Sequence, residues 1–151
     1  MRQKTNGILL CCKGSDTDDE ELSDTTDEDL KLFKSICSYW IRKFGLFDIR
    51  FEYAICDTDD NTAQCWIENG ARCVFVQLNN NLPVINREEL LNNTAFHEIF
   101  EAGVLGRLIL LASARNMDEE AFESECHATV FRMSNILNVD RFDYKRMSKN
   151  E

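Results

Sequence analysis

The chain has 151 residues, 44% of them hydrophobic, and a formal net charge of −10. That length suits a single domain with its own core, and no run approaches the roughly 18 apolar residues that a membrane span requires. Nine acids and no base fall in "DTDDEELSDTTDED", residues 16–29. Such a concentration marks a solvated lead-in and speaks against binding nucleic acid through its phosphates. Residues 1–27 are accordingly expected to be an acidic flexible arm, and 28–148 the folded domain. "GILLCC" is too short for a secretory signal, and the seven cysteines include no CxxC pair. Reduced thiols in a cytoplasmic protein follow as the expectation.

In chain order, "DEDLKLFKSICSYWIRKFGLFD" predicts a helix. Leu30, Phe33, Ile36, Cys37, Trp40, Ile41 and Phe44 recur at spacings of three and four, and Gly45 is its stop. "DIRFEYAIC" alternates Ile49, Phe51, Tyr53 and Ile55 with Arg50, Glu52 and Ala54, the pattern of a strand with one buried face. After "DTDDN", the runs 62–68 and 71–79 are joined by Asn69-Gly70, a strong hairpin signal because both turn positions need positive φ. Pro83, the only proline, sits in a loop. A helix is expected from about Arg87 or Asn93 through Leu111. Another should start near Asn116, with Glu119 in the capping-box position and Phe122, Cys126, Val130, Met133 and Leu137 on one stripe. The predicted fold is α+β: an N-terminal helix, a small three-stranded, mostly antiparallel sheet, and two C-terminal helices.

The two histidines fall one on each C-terminal helix. In "TAFHEIFEAG", His97 and Glu101 are four residues apart and share a helical face, while His127 comes from the next helix. Two imidazoles and a carboxylate form a ligand set that catalytic zinc uses. Relative to the HExxH signature, glutamate stands where the second histidine belongs, and the downstream helix supplies a histidine instead. Glu98 occupies the position of the glutamate that takes a proton from water. Together these point to metal-assisted hydrolysis, with a peptide bond as the expected target. Glu123, four residues before His127, is either a further ligand or a solvated first-turn glutamate. Arg132 and Tyr144 are the residues considered for stabilising an oxyanion.

The blocks "YWIRKFGLFDIRFEY", "ARCVFVQL", HEIFE and "ECHATVFRMSNIL" together resemble the small zincin-like (minigluzincin-like) metallopeptidase domains of phages and prophages, over nearly all of residues 33–138. The resemblance implies a zincin-like fold, zinc held by His97, Glu101 and His127, Glu98 as general base, and a peptide or protein as substrate. The chain departs from that pattern at Gly103 and Gly106, in the bulky "VLGRLILLASARN" and in its acidic arm. By analogy, "RCVFVQLN" would be the sheet edge that receives an extended peptide; otherwise it is a plain edge strand with Val74, Val76 and Leu78 in the core. Two other functions stay open: a non-catalytic binding module on the same fold, and an acidic arm that engages a host protein.

Overall fold

The computed structural model describes residues 7–13 (by their backbone), 21–59, 61–68, 72–115 and 118–139. Helix α1 spans Asp27–Phe44 and begins in a reciprocal cap. The Thr26 hydroxyl accepts from the backbone N–H of Asp29, whose carboxylate accepts from the N–H of Thr26. Gly45, at φ +68°, ends it in the left-handed conformation that a side chain would resist, and the N–H of Leu46 returns to the Ile41 carbonyl. The predicted apolar stripe faces inward, with Phe33, Ile36, Cys37 and Trp40 buried.

Four strands form the main sheet: β1 (Gly7–Lys13), β3 (Arg50–Cys56), β4 (Asn61–Glu68) and β5 (Cys73–Asn79), in the order β1-β4-β5-β3. The pairs β1–β4 and β4–β5 are antiparallel, whereas β3 runs parallel to β5. Ala63, Cys65 and Ile67 of β4 and Val74, Val76 and Leu78 of β5 meet the helices. A separate two-stranded ladder pairs β2 (Leu22–Asp24) with β6 (Asn81–Pro83).

Three expectations change here. The sheet has four strands rather than three, because residues 7–13, assigned to a flexible arm, pair along β4. Residues 22–24, from the same arm, are also in a ladder. "RCVFVQLN" is no sheet edge: β5 is paired on both sides, so it has no free backbone groups to offer a peptide. The expected Asn69-Gly70 turn lies outside the described residues, as do Asn116 and Tyr144.

The second ladder is riveted by Arg87. Its guanidinium donates to the carbonyls of Ser23, Asp24, Leu82 and Pro83 and pairs with Asp29 at 3.1 Å. One planar donor fork thereby joins β2, β6 and the first turn of α1. Arg87→Ala should lower stability by about 2–3 kcal/mol, since several acceptors lose a charged donor together. Urea unfolding measures this, and a loss under about 0.5 kcal/mol would mean that water replaces the fork.

Helix α2 (Arg87–Glu98) continues through a π-helical turn, Ile99–Leu105, into α3 (Gly106–Ala114). The sequence predicts an uninterrupted helix, so the turn is a finding of the structure. Glycines let it pack closely. A Cβ on Gly103 would stand 2.5 Å from Leu46 Cδ1, and one on Gly106 would stand 2.5 Å from Ile67 Cδ1. Beyond the turn Ile109 and Ala112 are buried, while Leu108 and Leu111, like Val104 within the turn, are exposed. Helix α4 (Glu119–Leu137) starts one residue beyond Asp118, which caps it by accepting from the N–H of Ala121. Asp118 therefore takes the capping role expected of Asn116. Cys126 and Val130 of the expected stripe are buried and Phe122 and Met133 pack against the core, but Leu137, at the helix end, is exposed.

Candidate metal centre

The last turn of α2 carries His97 and Glu98, the π-helical turn carries Glu101, and the middle of α4 carries His127. The Glu101 carboxylate is fully buried and faces both imidazoles. Its Oε2 lies 3.2 Å from His97 Nε2 and its Oε1 lies 3.1 Å from His127 Nε2. One ligand atom from each residue falls within 4.8 Å of the others, and among the described residues no other group of histidine, cysteine and acidic side chains converges this way. Ligands bound tetrahedrally at about 2.0–2.2 Å sit roughly 3.4 Å apart, so the spacing accommodates a zinc-sized ion. The Oε1 of Glu101 and the Nε2 of His127 are close enough to bond, yet neither is in hydrogen-bond geometry with any partner.

The electrostatics agree with that geometry. Burial pushes the Glu101 carboxyl up, but His127 and His97 outweigh it and hold the group below its ordinary value. Glu101 in turn raises the His127 imidazole above its ordinary value against the effect of burial, and the charges of Glu123 and Glu98 add to this. His97 keeps 25% of its side chain exposed and His127 36%, against none for Glu101. The group is thus reached from the imidazole side and sealed on the carboxylate side.

Glu98 lies beside this cluster rather than in it. It is fully buried, close to the Cys37 thiol of α1. Burial drives that thiol well above its ordinary value, and the Glu98 charge adds to the shift against a hydrogen bond with Tyr53. Glu123 is exposed and outside the converging group, acting on His127 only through its charge. Arg132 is likewise exposed and outside it. The feature that sequence reasoning missed is the π-helical turn carrying Glu101, a geometry common at functional sites. Gly103 and Gly106 within an apolar run were its only signal.

What the structure defines is an α+β domain with a His–Glu–His group able to hold a metal ion. Among the described residues no helix is long and apolar enough to cross a membrane. No protein-family model, curated protein or solved structure matches the chain.

Proposed function

We propose that this chain is a zincin-like, zinc-dependent hydrolase of peptidase type, with His97, Glu101 and His127 as metal ligands and Glu98 as general base. One observation carries the reading: a fully buried carboxylate held between two imidazoles from different helices. Such a group has little structural reason to be buried there, since burying a charge costs more than an exposed pair returns. The donor set of two nitrogens and one oxygen suits zinc. A bound zinc ion would acidify water and polarise a carbonyl. His97 and Glu101 set the site's floor from one continuous helix, and His127 closes it from α4. Glu98, next in sequence to a ligand, is the carboxylate that would accept a proton.

Elemental analysis of purified protein tests the metal. About one zinc per chain is expected, with affinity falling more than about a hundredfold in His97→Ala or His127→Ala, since outer-shell changes alone cost about 10–100-fold. A folded, metal-free wild type overturns the reading. Acid should also release the metal. Because Glu101 raises the His127 imidazole above its ordinary value of 6.5, protons compete from a higher pH than at an isolated histidine. Zinc affinity titrated at stepped pH should therefore begin to weaken at a higher pH than it would for an unperturbed imidazole ligand.

A second reading, a non-catalytic binding protein on the same fold, is favoured by the complete burial of Glu98. A general base needs access to the proton that it takes.

A further inference from the structure

Helix α3, "GRLILLASA", has one charged residue, Arg107, and is otherwise apolar nearly all round. A helix of that composition is normally buried on every side, yet α3 is covered on only part of its surface. Ile109 and Ala112 are buried, whereas Leu108 and Leu111 are 56% and 53% exposed and Val104, one turn earlier, is 38% exposed. The three exposed residues stand at i, i+4 and i+7, which makes one continuous strip along the helix. A contiguous apolar strip left in water marks an interaction surface.

The charges that border the strip say what covers it. Arg107 and Arg115 are exposed, and among the described residues neither is in an ion pair. No acid falls between Glu101 and Asp118, so the strip is locally basic in a chain whose net charge is −10. At about 100° per residue, Arg107 lies on the side of the strip away from Ile109 and Ala112. The covered side is the one on which the chain folds back. After only four residues α4 begins, packs beside α3 and returns antiparallel to it. The first half of α4 is acidic, with Glu120, Glu123 and Glu125 exposed. The α3–α4 pair thus has a basic border on one side of an apolar strip and an acidic border on the other. Such a surface is complementary to itself. Turned about a two-fold axis along the strip, the leucines meet their own copies, and each basic border meets the other's acidic one.

We infer that the outer face of α3 is a dimer surface, and that its occupant is a second copy of this chain. Leu108 and Leu111 pack against the same residues of the other copy, while Arg107 and Arg115 face the acidic half of that copy's α4. The apolar strip supplies the affinity, and the charged borders fix the register and exclude the reversed pairing. Because α3 continues from the turn that carries Glu101, the paired helices also brace that turn. The inference rests on α3 and α4 alone and does not depend on the group at His97 holding a metal.

Sedimentation velocity on the purified full chain tests it. The wild type should be dimeric at about 50 μM, and the double variant Leu108→Glu, Leu111→Glu should associate at least about a hundredfold more weakly, as when central apolar anchors are lost. Charge exchange then asks whether the partner is a copy. Arg107→Glu with Arg115→Glu makes both borders acidic, and Glu120→Lys with Glu125→Lys makes both basic, so each variant alone should associate more weakly than wild type. Mixed together, the two should pair at least about tenfold more tightly than either does with itself, because opposite borders meet again. A wild type that stays monomeric at about 200 μM overturns the inference. So does a leucine double variant with wild-type circular dichroism that still dimerises. Should that variant misfold, the surface charge exchange decides alone, and a mixture no tighter than its components overturns the inference. None of these readouts requires turnover or zinc, so failure here is distinct from failure of the metal site.

Discussion

Glu98→Gln should leave zinc content unchanged and lower peptide hydrolysis by about 10²–10⁴-fold, the usual contribution of a positioned general base. Glutamine keeps the shape and much of the hydrogen bonding of glutamate, so the helix and its ligands are undisturbed while the ability to accept a proton is lost. The comparison is informative because Glu98 is fully buried and its charge reaches both Cys37 and His127. If Glu98 serves only to hold α2 against α1, the substitution would change stability and spare the rate. Equal turnover by mutant and wild type would remove Glu98 from the chemistry. A wild type that binds zinc and cleaves nothing would favour the binding-protein reading.

The second large effect is expected one residue before His97, the first of the proposed ligands. Phe96→Ala should cost about 3–5 kcal/mol, as for other large aromatic truncations in a core. Phe96 is 1% exposed and stands edge-on to Trp40 at 5.0 Å, with Phe100 stacked at 5.6 Å and Phe44 at 6.1 Å. This cluster sets the approach of α1 to α2, and it also fixes the backbone from which His97 projects. The variant should therefore lose zinc affinity along with stability, whereas Phe96→Leu, which keeps most of the volume, should cost under about 1.5 kcal/mol. Guanidinium unfolding followed by metal titration measures both. A loss below 1 kcal/mol would mean that the neighbouring rings collapse into the space.

Features with a strictly local cause were the most legible in the sequence. The stripe from Phe33 to Phe44 and the stop at Gly45 follow from periodicity and left-handed capping, and both are present. The convergence of His97, Glu101 and His127 was also legible, because helical spacing fixes the first pair and only the packing of α4 had to be assumed. What escaped were matters of long-range pairing. Nothing local says that "GILLCCK" pairs with residues some fifty positions away, or that β3 inserts parallel to β5 and so buries the strand expected at the edge. The acidic composition of residues 16–29 hid the three-residue strand at 22–24, which is held by Arg87 donating to the carbonyl and the hydroxyl of Ser23.

The π-helical turn has a consequence for how the helix is spelled. At about 100° per residue, an unbroken α-helix would put Leu111 within about 20° of Phe100. Val104, one turn on, would also lie towards that side. The structure instead buries Ile109 and Ala112 and leaves Val104, Leu108 and Leu111 outside. The sequence thus holds two apolar reading frames one residue apart, and the wide turn at Ile99–Leu105 selects between them. Deleting a single residue after Glu101 would let the turn close to an ordinary α-helix with Ala112 still inside, whereas inserting one with the wide turn kept would leave His97 and Glu101 in place yet swing Leu111 into the space that Ala112 fills, asking the core to house a leucine where it was cut for an alanine.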